Sequence, residues 1–371
     1  MNAKTLTGHL LTPTGFVRGV LRCQDGRIKS LEGQPVSDDE VRGADTPLIL
    51  PGFVDLHVHG GGGRDAMEGG DAVTTLARLH AQHGTTSLLA TTMTAPMAEI
   101  QQAVKAIGDH CRQRSSNAAR VLGVHLEGPF LNEQRLGAQP AYAQPANLDD
   151  VLRLHALAPL RLITLAPEVP PHLDLIAPLR ALGFVVQVGH SNGSYEDGVA
   201  ALRQGASGFT HLFNAMSPLH QRAPGMVGAA LAHAQHAEII PDLLHVHPGA
   251  LRAALRAIPC LYCVTDSTAA AAASKPPSIS TAPIKASTAS ASIEGRLPPP
   301  VLISPPPSLR HGPTPKVSAN AANAGSLTRL ARRRERSPSG RKGNFRYNAS
   351  ATMQFTTPSP RNSRRSLLGL P

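Results

Sequence analysis

Phe53-Val-Asp-Leu-His57-Val-His59, running into Gly60-Gly-Gly-Gly63, is the stretch from which the fold can be read. The run is short and mostly apolar, with Pro51-Gly52 before it and glycines after it, the pattern of a buried strand. His57 and His59 are two apart, so on a strand both side chains leave on the same side. A single histidine there would be an ordinary hydrogen-bonded residue. Two at this spacing, at a strand end and before glycines that let the backbone approach closely, are better explained as metal ligands.

The same design recurs downstream. His125-Leu-Glu127-Gly-Pro129 closes the apolar run 121–126, and Gly189-His190-Ser191, Thr210-His211-Leu-Phe-Asn214 and Val264-Thr265-Asp266 each close another. Ligands gathered at the carboxyl ends of several parallel strands are how a (β/α)8 barrel builds a metal hydrolase site. Strands are expected at 53–59, 85–91, 120–127, 161–167, 184–190, 207–212, 239–246 and 260–266. Helical patterns fill most gaps, as at 71–82, 97–113, 172–182 and 194–204, and Gly84, Gly183 and Gly205 follow helix ends. Eight strands alternating with helices predict an α/β chain with a TIM-like (β/α)8 barrel over residues 51–268. A doubly wound open sheet is the runner-up, but it would not collect ligands from so many strands. Residues 1–50 alternate apolar runs with turn signals, a few antiparallel strands that cannot bury a core alone. They must therefore pair with something else.

The net charge of +11 suggests a nucleic-acid or membrane partner until the chain is divided. Of the 36 basic and 25 acidic residues, 16 and 2 lie beyond residue 268, so that segment carries +14 and the rest −3. Of the 17 histidines only His311 lies there, whereas 15 of the 33 prolines do. Residues 269–371, rich in Pro, Ser, Ala and Arg with no sustained apolar period, read as a disordered tail. Arg332-Arg-Arg-Glu-Arg336 reads as a solvated charge run rather than an RNA-binding patch. Cys260-Leu-Tyr-Cys263 has C-x-x-C spacing inside an apolar run with no second pair, so both cysteines are expected to be buried small hydrophobes. No segment resembles a signal peptide or is long enough to span a membrane, and a reducing cytoplasm is expected.

Glu127 ends an apolar run, where a carboxylate is costly without a partner, and a metal is the natural one. His190 and His211 end the fifth and sixth strands, and neutral imidazoles suit Zn2+ and similar ions. With Glu127 they make two imidazoles and a carboxylate with room for water, the open arrangement of a catalytic site. Asp266, ending the eighth strand, is placed to take a proton from an activated water and return it to a leaving amine. The competing reading of Asp266 is a helix N-cap.

The series Leu50-Pro-Gly-Phe-Val-Asp-Leu-His57, His125-Leu-Glu-Gly-Pro-Phe130, Leu165-Ala-Pro-Glu168, Gly189-His-Ser191, Thr210-His-Leu-Phe-Asn-Ala-Met216, Arg222-Ala-Pro-Gly225, Leu244-His-Val-His-Pro248 and Val264-Thr-Asp266 resembles the N-acetylglucosamine-6-phosphate deacetylases of the amidohydrolase superfamily. The resemblance covers about residues 1–268. It implies hydrolysis of the acetamide of N-acetylglucosamine 6-phosphate to glucosamine 6-phosphate and acetate. It places Glu127, His190 and His211 as principal ligands of a divalent metal, Zn2+ or Fe2+, and Asp266 as the catalytic acid. His57 and His59 match members that hold a second metal sharing Glu127, so one or two ions per subunit are implied. Asn214 and Ala215 fall on a backbone clamp for the sugar. Arg222 and His245 fall on positions contacting the phosphosugar, and Ala138 and Gln139 on a further substrate loop. A homodimer is also implied, with no membrane or nucleic-acid partner.

After Asp266 the family would continue with a last barrel helix, another substrate loop and strands completing the small β-sandwich that the resemblance implies for residues 1–50, which is expected to be incomplete in this chain. None of these is legible here, and the simultaneous loss of motif, periodicity and acidic residues fits a reading-frame shift. The competing readings are an inactive, broken deacetylase, an N-acetylgalactosamine-6-phosphate deacetylase, a cyclic-amide hydrolase and, from the tail alone, a basic nucleic-acid binder. Many cyclic-amide hydrolases bridge their metals with a carboxylated lysine, and Glu127 occupies that place here.

Overall fold

The computed structural model describes residues 3–271. The disordered-tail and frame-shift expectations concern residues that lie, but for 269–271, outside the described ones. The chain opens with β1 (Ala3–Thr12), β2 (Gly15–Gln24) and β3 (Arg27–Pro35), a meander of antiparallel strands. The short helix α1 (Asp38–Arg42) follows, started by a capping box between Ser37 and Glu40. β4 (Leu48–Ile49) then pairs parallel to β1, giving the sheet order β3-β2-β1-β4. Leu6, Ile28 and Leu31 stay exposed on this sheet, and among the described residues no second sheet covers them.

The next strand, β5 (Phe53–Val58), starts the barrel. A small hairpin of β6 (Gly60–Gly61) and β7 (Arg64–Asp65) precedes α2 (Asp71–Gln82). Strand and helix then alternate through β8 (Thr85–Thr91), α3 (Met97–Arg112), β9 (Arg120–Glu127), α4 (Leu148–Leu157), β10 (Leu160–Leu165), α5 (His172–Ala181) and β11 (Val185–Val188). α6 (Tyr195–Arg203), β12 (Gly208–Phe209), α7 (Gly225–His233), β13 (His236–Ile239), α8 (Pro248–Ala257) and β14 (Cys260–Cys263) complete the series.

Eight strands lie side by side in the order β14-β13-β12-β11-β10-β9-β8-β5, every pair parallel. The two ends meet through a parallel bridge of Val58 with Ser267, and the amides of His59 and Gly60 both donate to the Ser267 carbonyl at 2.8 Å. This is the expected (β/α)8 barrel. Its core is apolar, with Leu126, Ile163, Leu165, Val186, Val188 and Phe209 fully buried. The helices pack by their apolar stripes: on α3, Ile100, Ala103, Val104 and Ile107 recur at helical spacing and are all buried.

Three expectations need correction. The strand expected at 239–246 is β13 at His236–Ile239. Pro241 has no amide to donate, and the Asp242 side chain accepts from the amides of Leu244 and His245 at 2.9 Å, so the chain turns instead of extending. The strands expected to end at 190, 212 and 266 stop earlier, at Val188, Phe209 and Cys263. His190, His211 and Asp266 have positive φ angles of 48°, 28° and 50°, which no extended strand tolerates.

Finally, Cys260 and Cys263 are exposed, not buried. Parallel barrel strands are covered by the helices that follow them, and no described helix follows β14. An open cleft of about 560 Å³ runs there, lined by Phe53, Val54, Ile240 and Cys263 together with Leu79 of α2. No helix of the described residues is long and apolar enough to cross a membrane.

Close packing of α3 on α4 makes one substitution informative. A Cβ on Gly108 would lie 2.4 Å from the Leu157 carbonyl oxygen. Alanine inside an exposed helix gains about 1 kcal/mol over glycine. Here Gly108→Ala must displace backbone at the end of α4, and overpacking of this kind costs about 1–3 kcal/mol. The variant is expected to melt below wild type by circular dichroism, and an equal or higher melting temperature would contradict the packing.

Candidate metal centre

The centre is organised by one carboxylate. Glu127, the last residue of β9, is 1 % exposed, and its two oxygens face two different pairs of histidines. Oε1 lies 3.2 Å from His190 Nε2 and 3.1 Å from His211 Nε2, which are themselves 3.0 Å apart. Oε2 lies 2.9 Å from His59 Nε2 and 3.2 Å from His57 Nε2, which are 3.1 Å apart. Each oxygen therefore completes a triangle of donors, and the two triangles share Glu127. All five residues are buried. The alternation that carries His57 and His59 to one side of β5 also places His125 and Glu127 on one side of β9, and the rings of His57 and His125 meet edge-on at 4.5 Å.

These distances fit cations. Ligand atoms about 2.1 Å from a tetrahedral ion stand about 3.4 Å apart, and both triangles have sides slightly shorter than that. Two imidazole nitrogens 3.0 Å apart cannot both present lone pairs to each other without a positive charge between them. Without an ion, protons supply that charge. Burial alone would lower the pKa values of His57, His59 and His211. The charge of Glu127, with Asp266 and hydrogen bonds to these carboxylates, reverses this and raises all three, His57 most strongly. Burial would raise Glu127, but the surrounding imidazoles, His57 foremost, hold it well below the usual carboxylate range. A buried carboxylate among four imidazoles, all holding Nε2 toward it, is a donor set for divalent cations.

Asp266 stands at the open side. Its Oδ1 is 3.3 Å from His57 Nε2 and 3.4 Å from His59 Nε2, and its side chain keeps 22 % exposure. Burial would raise its pKa, but the charge of His57 and the hydrogen bond to His59 keep it ionised well below the usual range. It does not cap a helix, since no described helix follows it. Asp55 sets its place: Oδ2 accepts from the Thr265 hydroxyl at 2.7 Å, Oδ1 takes the amides of His57 and Thr265, and the Asp266 amide donates to the His57 carbonyl at 3.0 Å. Glu168 does the same for the His190 loop, accepting from the Ser191 hydroxyl at 2.6 Å and the Asn192 amide at 2.7 Å. The left-handed backbone at His190, His211 and Asp266 is unfavourable for residues with a Cβ, at about 1–3 kcal/mol each, and persists where surroundings over-determine it.

The residues expected around a substrate are spread more widely. Gln139 is not an open loop residue: it is buried, donates to Glu127 Oε2 at 2.8 Å, and accepts from the Thr94 amide at 2.6 Å. Ala138 beside it is exposed. Asn214 turns back on its own loop, with its amide donating to the His211 carbonyl at 3.0 Å. Ala215, at φ 50°, accepts from the Ser191 amide. Arg222 and His245 are exposed on loops, His245 paired with Asp242 at 2.7 Å, and no hydrogen bond or ion pair among the described residues joins either to the metal-ligand cluster. Sequence reading passed over Asp55 as a clamp and Glu238 altogether. Glu238 is fully buried in β13, with Oε2 3.0 Å from His57 Nδ1. A lone carboxylate in the apolar run His236-Ala-Glu-Ile-Ile240 is the same signal that singled out Glu127.

No protein-family model matches the chain. It is 40% identical over 250 residues to an N-acetylgalactosamine-6-phosphate deacetylase of Escherichia coli O157:H7, covering 66% of this chain and 65% of that one. It is 38% identical over 242 residues to an N-acetylglucosamine-6-phosphate deacetylase of Lysinibacillus sphaericus, covering 63% and 62%. The chain thus spans somewhat less than two thirds of these relatives. The crystal structure of N-acetyl-D-glucosamine-6-phosphate deacetylase from Mycobacterium smegmatis superposes with a TM-score of 0.63 at 31% identity, covering 72% of this chain and 71% of that one. A mutant of that protein has also been solved in complex with N-acetyl-D-glucosamine-6-phosphate.

Cation binding must displace the protons held on His57, His59 and His211. Their pKa values are raised, so affinity for Zn2+ is expected to climb as pH rises from about 6 toward 8, by about tenfold per pH unit for each proton released. Calorimetry in buffers of different ionisation enthalpy checks this, and binding without proton release would contradict the protonated cluster. Glu127→Ala removes the shared corner of both triangles and is expected to abolish stoichiometric Zn2+ uptake.

Proposed function

The chain belongs to the N-acetylglucosamine-6-phosphate deacetylase family, and from that premise we propose that it hydrolyses the acetamide of an N-acetylhexosamine 6-phosphate, releasing acetate and the amino-sugar phosphate. The observation that carries the reading is Glu127 shared between two imidazole pairs, with the solvent-open Asp266 against one of them. The substrate class draws on the relatives' names and on the complex of one of them with N-acetyl-D-glucosamine-6-phosphate. Relatives of similar identity carry the glucosamine and the galactosamine name, so the proposal covers both epimers. The bridging corner is a glutamate, which favours this family over lysine-bridged cyclic-amide hydrolases.

Glu127, His190 and His211 would hold the principal cation, and His57 and His59, with Glu127, a second one. Zn2+ or Fe2+ suits these nitrogen and oxygen donors. When bound, the cation polarises the acetamide carbonyl and makes water a nucleophile at neutral pH. Asp266, ionised and open to solvent, accepts the proton of the attacking water and delivers it to the departing amine nitrogen. Gln139 donates to Glu127 Oε2 and keeps the carboxylate turned toward both pairs, while Ala138 lines the mouth beside it. Asn214 and Ala215 present backbone groups to the sugar. The exposed guanidinium of Arg222 and the imidazole of His245 meet the phosphate, the former through charge-assisted bonds. A homodimer in the cytoplasm completes the reading.

Acetate release from N-acetylglucosamine 6-phosphate by the metal-loaded chain tests it. Chelation is expected to abolish activity and divalent metal to restore it. Asp266→Asn should lower kcat by about 10²–10⁴-fold with the principal cation retained, and Arg222→Ala should raise KM more than it lowers kcat. Full activity in Asp266→Asn, or hydrolysis indifferent to chelator, would remove the proposal.

A further inference from the structure

Beneath the metal centre lies a carboxylate with no part in the chemistry above. Glu238 is fully buried in β13, and among the described residues no lysine or arginine pairs with it. Its Oε2 sits 3.0 Å from His57 Nδ1 and 3.3 Å from the His211 amide, and its Oε1 accepts from the Tyr262 hydroxyl at 3.2 Å. Tyr262 is held in turn by Gln187, whose Nε2 donates to its oxygen at 2.5 Å. A buried carboxyl group is costly unless hydrogen-bonded, and here three polar groups converge on it, one of them the imidazole of a metal-ligand candidate.

We propose that Glu238 is a positioning residue that fixes His57 with its Nδ1–H turned inward and thereby presents Nε2 to the cation shared by His57, His59 and Glu127. A carboxylate only accepts, so the proton between Glu238 and His57 Nδ1 belongs to the imidazole, and the ring's other nitrogen is left for the metal. The edge-on contact with His125 keeps the ring from turning over. Ligating histidines generally need such a partner on their second nitrogen, and losing it lowers metal affinity by about 10–100-fold.

The distribution of partners makes the role specific. In the triangle of His190 and His211, His190 Nδ1 lies 2.8 Å from the Arg135 carbonyl, and His211 Nδ1 has no hydrogen-bond partner. In the triangle of His57 and His59, His57 has Glu238 and His59 Nδ1 has none. Each pair thus contains one anchored imidazole, and Glu238 supplies the anchor for the second. His57, His125 and Glu238 also lie close enough together to suggest a third cation site. Their atoms are engaged elsewhere: His125 Nδ1 faces the Leu56 carbonyl and Nε2 faces Thr164, while His57 has only one further nitrogen, already facing Glu127. Glu238 therefore acts through His57 and not as a ligand.

This inference rests on the metal-centre reading, and titration of the full chain with Zn2+ alone separates the two. Wild type is expected to bind two equivalents. Glu238→Leu, which removes the acceptor, should weaken the second equivalent at least tenfold and leave the first within about threefold. Glu238→Gln retains an acceptor oxygen and should fall between the two. A wild-type chain that binds no Zn2+ removes the metal-centre reading itself. One equivalent in wild type, equal affinities in wild type and Glu238→Leu, or equal loss of both equivalents in that variant, overturns the role of Glu238 alone. Should Glu238→Leu not fold, 113Cd-loaded, 15N-histidine-labelled wild type decides. Cadmium coupling to His57 Nε2 with a proton on Nδ1 supports the proposal, and coupling to Nδ1 overturns it.

Discussion

The interaction on which the rest depends is the carboxylate of Glu127 buried between two pairs of imidazoles. Alone in an apolar barrel mouth that charge would be intolerable. Surrounded by four Nε2 atoms at 2.9–3.2 Å it becomes the one position where positive charge is most welcome. Protons fill the need when nothing else does, which is why the imidazoles titrate high and Glu127 titrates low. A divalent cation fills it with better geometry, and the same arrangement that makes the protein hold protons makes it a metal centre.

Holding four imidazoles around one carboxylate imposes a second constraint, since the side chains of the site must arrive from five strands, β5, β9, β11, β12 and β14, at the same height. β5 and β9 manage it in extended form. The chains after β11, β12 and β14 do so only by turning into left-handed backbone at His190, His211 and Asp266. Glu168 and Asp55, each accepting several hydrogen bonds, hold two of these turns in place. The closing bridge between Val58 and Ser267 then lies beside His57, His59 and Asp266, so barrel closure and site assembly are one event. Next to this seam, among the described residues, Phe53, Val54 and Cys263 face an open cleft.

Much of this was legible in the order of residues. An apolar run with a polar residue at its end is a local pattern, and His57, His59, Glu127, His190, His211 and Asp266 were all found by it. Eight parallel strands, with helices in most of the gaps between them, followed from periodicity, with errors at strand ends where a left-handed residue or Pro241 cut extension short. The reading that Cys260 and Cys263 are buried failed because burial is decided by what packs on a strand, and β14 has no described helix over it. Glu238 escaped because its strand was placed three residues late, and Gln139 was seen as a loop residue though its side chain reaches Glu127.

Taken by itself, the sequence determined which side chains are candidates for the chemistry and which strands deliver them, because hydrophobic periodicity and alternation are local properties of the chain. Only the tertiary structure decided how those side chains meet. That Glu127 gives one oxygen to each pair, that Asp266 sits against His57 and His59 and not His190, and that Glu238 anchors His57 from below are consequences of barrel curvature and register. These place residues 63 to 209 positions apart within 3.3 Å of one another, and no pattern along the chain encodes such distances.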